Sequence, residues 1–163
     1  MTGPTDERHF ALIEKAENFA REKLAPWAAG RPDEFSLALW KEAGEQGLLG
    51  VAVPRDYGGL GLDYLAVTAA AEVLVGAGHN PGFGLSWMIH NVVSRLVFWE
   101  LGREEQRARY LPELAVGRLS PSISISEPGV GAHPKHLRTR ADGRDGGFLL
   151  NGEKSYLTNG PFV

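Results

Sequence analysis

The chain is 163 residues long, 43% hydrophobic and 23% charged, with a formal net charge of −3, a balance typical of a folded chain rather than a disordered one. Its 17 basic residues are scattered rather than gathered into a stripe, so there is no electrostatic footprint for nucleic acid. It has no cysteine, which excludes disulfides, thiolate metal sites and cysteine nucleophiles and suits a reducing, cytoplasmic setting.

The opening Met1-Thr2-Gly3-Pro4-Thr5-Asp6-Glu7-Arg8 is acidic and lacks an apolar core, so it does not read as a signal peptide. No apolar run approaches the roughly 20 residues of a membrane-spanning helix. From about Thr5 to Ala29, Phe10, Ile13, Ala16, Ala20, Leu24 and Trp27 recur at helical spacing, with Pro26 near the end. A second helix fits Ser36 to Gln46, with Leu37, Trp40 and Ala43 on one side and Gly47 as its stop. The stretch from Gly50 to Gly61 is too rich in glycine and proline for regular structure. Asp63 can cap a third helix through about Val75, and Gly76 to Gly84 reads as a loop. A fourth helix, Leu85 to Glu100, carries an apolar face wide enough for a central position in a bundle. Arg103 to Tyr110 makes a short charged helix that ends before Pro112.

After Gly117 the period changes. Ser122, Ser124 and Ser126 alternate with Ile123 and Ile125, then break into Glu127-Pro128-Gly129-Val130-Gly131. That pattern predicts a strand delivering small hydroxyls to a backbone-rich loop. Phe148 to Gly160 repeats the design: a strand, a turn at Asn151-Gly152, a second strand, and a stop at Thr158-Asn159-Gly160. Two such strand ends suit one edge of a planar, heteroatom-rich cofactor. The expectation is helix through most of residues 5–117 and strand through most of 119–158, with the switch between Val116 and Pro121. The class is α+β: an all-α helical bundle over residues 1–118, then the first strands of an incomplete β domain over 119–163. An unfinished sheet with Phe162 and Val163 at its end predicts self-association or pairing with another chain.

Several residues carry a plain reading beside a chemical one. Glu127, next to Pro128 in a tight loop, is expected to position backbone rather than act as a base. His133 and His136 have no evident third ligand, so a loop facing an anion is expected and no metal site. His90 beside an apolar helix face reads as a core histidine with a backbone partner. Gly129-Val130-Gly131 does not open a dinucleotide fingerprint, because Pro134 and the missing third glycine spoil the helix start.

The sequence resembles the front portion of the flavin-dependent acyl-CoA dehydrogenases. That family carries Thr-Glu-Pro-Gly-x-Gly-Ser-Asp and Asn-Gly-x-Lys-x-Trp-Ile-Thr-Asn-Gly. Here the corresponding runs are Ser126-Glu127-Pro128-Gly129-Val130-Gly131-Ala132-His133 and Asn151-Gly152-Glu153-Lys154-Ser155-Tyr156-Leu157-Thr158-Asn159-Gly160. Val53-Pro54-Arg55-Asp56-Tyr57-Gly58-Gly59-Leu60-Gly61, His90-Asn91 and the segment from Leu101 to Pro112 resemble the family's helical domain, in family order.

The resemblance implies a β-barrel as the second domain and an oxidoreductase of fatty acid metabolism that binds FAD. Such an enzyme takes hydride from an acyl-CoA thioester and passes electrons to an electron-transfer flavoprotein. It places Ile123, Ser124, Ile125, Ser126, Gly131, Ala132, Tyr156, Leu157 and Thr158 at the cofactor and Ala132 also at the substrate. The backbone and hydroxyls around Ile125, Ser126 and Thr158 are expected at the flavin N5 and O4 edge, where donors favour the reduced ring. Tyr156 stands where the family has tryptophan. Ala132 and His133 replace Ser-Asp, which removes a hydroxyl, although the amides of Gly131 and Ala132 remain for a phosphate. The family's catalytic glutamate belongs to a later domain, so no catalytic residue is assigned here and the chain alone is expected to be inactive. The family's habit of oligomerising points to a homo-oligomer or a complementing chain. The other reading is a non-catalytic helical interaction or regulatory module derived from the same family.

Overall fold

A computed structural model describes residues 7–31, 34–130 and 133–160. Helix α1 (Glu7–Phe19) loosens into a π-helical stretch at Ala20–Leu24 and closes with a last turn, α2 (Ala25–Ala28). Then come α3 (Leu37–Glu45), α4 (Tyr64–Gly78), α5 (Pro81–Val93) with a π-helical extension over Ser94–Glu100, and α6 (Glu104–Ala115). Strands β1 (Arg140–Arg144) and β2 (Gly147–Asn151) form one antiparallel hairpin, with Arg140 opposite Asn151 and Arg144 opposite Gly147.

Short polar side chains start the helices. Ser36 accepts a hydrogen bond from the Leu39 amide at 3.2 Å, Asp63 from Ala66 at 3.0 Å, and buried Asn80 from Phe83 at 2.8 Å. Pro81 follows Asn80 at the first helical position, where its missing N–H costs nothing. The inward faces of α1, α3, α4 and α5 meet in one core around Phe19, Leu24, Leu74, Phe83 and Trp87. A smaller cluster of Val53, Leu111, Leu114 and Ala115 seats α6.

The glycine-rich segment between α3 and α4 is not loose. Leu60, Gly61 and Leu62 amides bond back to the carbonyls of Gly50, Val53 and Val51 at 2.8–2.9 Å. Helix α5 holds it from behind: the Trp87 indole donates to the Leu48 carbonyl at 2.8 Å, and Asn91 accepts from the Ala52 amide at 3.2 Å. Gly59 is required because a Cβ there would run into the Val53 carbonyl.

Three expectations need correction. The loop predicted at 76–84 contracts to His79 and Asn80, because His79 takes a left-handed conformation (φ 53°) that ends α4 and Asn80 at once caps α5. Helix α6 runs through Pro112 to Ala115. The carbonyl that loses its partner there belongs to exposed Ala108, where water can serve it. The third correction concerns the strands. Among the described residues, only 140–144 and 147–151 pair into a ladder; Ser122 to Ser126 and Glu153 to Thr158 do not. The chain reverses at Asp145-Gly146, not at Asn151-Gly152. Alternating polarity predicts which face a residue takes, but a strand also needs a neighbour to bond with, and sequence alternation does not supply one. The expectation drawn from Phe162 and Val163 falls outside the described residues.

Candidate functional site

The segments around residues 122–127 and 154–159 run antiparallel and are joined by side chains more than by backbone. Ser122 Oγ donates to the Thr158 carbonyl at 2.7 Å, and the Ser155 amide donates to the Ser126 carbonyl at 3.0 Å. Lys154 Nζ bridges the Ile125 carbonyl at 3.0 Å and Glu127 Oε1 at 2.9 Å. The result is a short ledge. Asn159 fixes it to the helical body: its amide nitrogen donates to the carbonyls of Ser86 on α5 at 3.2 Å and Pro121 at 3.4 Å. Asn159 achieves this in a left-handed conformation, φ 66°, one that asparagine tolerates well.

The structure brings Ile123, Ser124, Ile125, Ser126, Tyr156, Leu157 and Thr158 onto this ledge. Ile123, Ser124, Ile125, Tyr156 and Leu157 are exposed, and Ser126 and Thr158 are half-buried. Ser126 and Thr158 are not adjacent. Ser122 faces Thr158 and Ser126 faces Ser155, so the two hydroxyl-bearing residues stand roughly 10–13 Å apart along the ledge at strand rise. Gly131 and Ala132, expected at a phosphate and the substrate, lie outside the described residues. Tyr156 is the outlier. It is 94% exposed and holds φ 58°, a conformation unusual for a bulky residue. Its neighbours therefore hold an unsupported aromatic ring out from the ledge.

Glu127 is an anchor rather than a base. Its carboxylate accepts from the Arg138 amide at 2.6 Å and the Thr139 amide at 2.9 Å, besides the Lys154 ammonium. Those two amides and Lys154 hold its pKa down to about 2. A carboxylate so placed stays charged and takes no proton near neutrality. The sequence reading left Lys154 without a role. Its signal was available: a lysine three residues beyond Asn151 in a motif already singled out, facing a glutamate in the other.

His90 is fully buried, with Nε2 3.0 Å from the Leu114 carbonyl. Burial pulls its pKa down to about 4, so it packs as a neutral ring against Trp40. The His133 and His136 rings sit 4.7 Å apart, and among the described residues no group of three His, Cys, Asp or Glu could hold a metal ion. Nor, among them, is any helix long and apolar enough to cross a membrane. The ledge thus offers hydroxyls, unpaired backbone, apolar side chains and an aromatic face, which suit it to holding a planar group. The carboxylate within it, Glu127, is engaged by three donors.

A family model described as acyl-CoA dehydrogenase, N-terminal domain, matches residues 6–118. Over 160 residues the chain is 37% identical to the mitochondrial isovaleryl-CoA dehydrogenase of Solanum tuberosum, covering 96% of this chain and 38% of that protein. It is 37% identical over 145 residues to an acyl-CoA dehydrogenase of Bacillus subtilis (strain 168), covering 88% and 38% respectively. A crystal structure of an acyl-CoA dehydrogenase complexed with FAD from Bacillus anthracis superposes with a TM-score of 0.84 at 34% identity, covering 99% of this chain and 28% of that one. The chain spans 38% of the length of both curated relatives.

Proposed function

The chain belongs to the acyl-CoA dehydrogenase family, and from that premise we propose that its ledge is one wall of a flavin site in an α,β-dehydrogenating acyl-CoA oxidoreductase. The observation that carries this is Tyr156, an aromatic ring fully exposed and held at positive φ between the half-buried Ser126 and Thr158 ends of one ledge. A flavin, when bound, supplies the hydride acceptor. This chain's own residues bind and orient. Ile123, Ile125 and Leu157 would supply the apolar surface for the ring system, and Tyr156 an aromatic face. The hydroxyls of Ser124, Ser126 and Thr158, with the amides beside them, donate to its polar edge. By the family motif, the amides of Gly131 and Ala132 would serve the pyrophosphate, and Ala132 the thioester substrate.

Residues 119–163 open a second, β-rich domain, and the proton-abstracting carboxylate comes from outside this stretch. An electron-transfer flavoprotein as acceptor and a homo-oligomeric or complemented assembly complete the reading. The test is retention of FAD through gel filtration, followed by absorbance near 450 nm, a property of bound flavin. Flavin retained by the chain with its complementing half, and lost on Thr158→Val, is the expected result. The 163-residue chain alone, given acyl-CoA, FAD and an artificial acceptor, is expected to show no turnover. Turnover above a no-protein blank would overturn the assignment of the base elsewhere.

One observation favours the second reading, a non-catalytic helical module: the helical body keeps its own core, and the ledge meets it through Asn159. A colourless protein that gains no flavin even with its complementing half is the outcome that decides for it.

A further inference from the structure

A groove of about 540 Å³ lies between the outer end of α3 and the turn that leaves α6, within the roughly 300–1,000 Å³ typical of small-molecule sites. It is separate from the ledge. Its inner wall is the buried Trp40, and exposed Leu37 and Val116 flank the mouth. The floor is unyielding. A Cβ on Gly44 would enter the Val116 carbonyl, and one on Gly117 would meet the Leu49 side chain, so the two backbones are already in contact.

Ser120 closes one end. It is only 8% exposed, yet its Oγ has no hydrogen-bond partner among the described residues. A buried hydroxyl without a partner is costly, and native structures seldom leave one so. One cation at the rim is open to an anion. Of the two basic residues that line the groove, Arg118 is held by both oxygens of the Glu113 carboxylate, which leaves Lys41 beside Glu45. The Lys41–Glu45 contact is loose, at 3.8 Å, and highly exposed. We infer that this groove is a binding site for a small aromatic or branched-alkyl carboxylate, its apolar body against Trp40, Leu37 and Val116. One carboxylate oxygen accepts from Ser120 Oγ, and the Lys41 ammonium neutralises the charge.

The probe is phenylacetate, with neutral phenylacetamide as its control, titrated to about 10 mM and followed by amide and indole resonances. Saturable shifts at the Trp40 indole and the amides of Val116 and Ser120, with the carboxylate preferred over the amide, are the expected result. Ser120→Ala should weaken phenylacetate roughly tenfold, one hydrogen bond to a charged group. Val116→Trp should block the groove while leaving the unfolding midpoint unchanged. The inference is overturned by no saturable shift, by shifts confined to other surfaces, by equal binding of both probes, or by a Ser120→Ala protein that binds as the parent does. Flavin retention is not used as a readout, so failure here leaves the proposal for the ledge standing.

Discussion

His90 and Glu127 are both held at displaced pKa values, and opposite causes dominate. His90 is neutral because burial penalises its charged form, and its pKa falls from 6.5 to about 4. The folded value lies below the unfolded one, so the contribution to stability is complete above about pH 6.5 and is lost as pH falls towards 4. A shift of that size corresponds to something on the order of 3 kcal/mol. Urea midpoints measured from pH 7 to 4 should fall across this window, and His90→Gln, less stable at neutrality, should lose most of that slope. Glu127 is charged because donors surround it, and its pKa falls from 4.5 to about 2. Its anchoring of Arg138 and Thr139 is complete above about pH 4.5 and disappears as pH falls towards 2. Glu127→Gln removes the charge from three hydrogen bonds and should speed amide exchange at Arg138 and Thr139 by about tenfold. Unchanged protection at those two amides would contradict the anchor.

The helices were legible at the level of elements because their signals are local. Ser36 and Asp63 stand immediately before apolar residues at helical spacing, and both cap as their positions suggest. Asn80 was missed because Gly76 and Gly84 on either side look like loop, whereas Gly78 and Gly84 sit buried within or beside packed helices. Asn80→Ala removes a buried cap and should cost about 1–2 kcal/mol in thermal or urea unfolding. The strands were half legible. Residues from Ser122 to Ser126 show clean alternation and make no ladder, because their partner is a chain of side-chain ties from Ser122, Lys154 and Asn159, and such ties have no periodic signature. Of the ledge, Ser126, Tyr156 and Thr158 were legible by motif. Glu127's grip on Arg138 and Thr139 was not, since the residues it holds lie 11 and 12 positions away. The hairpin β1–β2 shows no buried residue, so hydrogen exchange should find its amides nearly unprotected beside those of α4 and α5.

At the scale of the whole molecule, one side is finished and the other is not. The helical body buries Trp87, Phe19 and Phe83 completely or nearly so, while Phe148 is 76% and Leu150 73% exposed on β2. Exposed apolar side chains on a strand paired along one edge only attract another copy or a complementing chain. Sedimentation should therefore show concentration-dependent association that the paired change Phe148→Lys and Leu150→Lys abolishes. A concentration-independent monomer in the parent protein would remove that expectation. The bond pattern of Asn159 carries a different consequence. Its one amide group touches both the carbonyl of Pro121, where the chain leaves the helical body, and that of Ser86, to which it returns. The departure and arrival points of everything between are thus pinned together, whatever the intervening length. Closing a longer excursion between fixed ends adds little entropy cost. The span from Pro121 to Asn159 is in that sense an exchangeable cassette: sequence inserted at its Asp145-Gly146 tip, or a foreign segment grafted between the same two posts, leaves the helices no reason to rearrange.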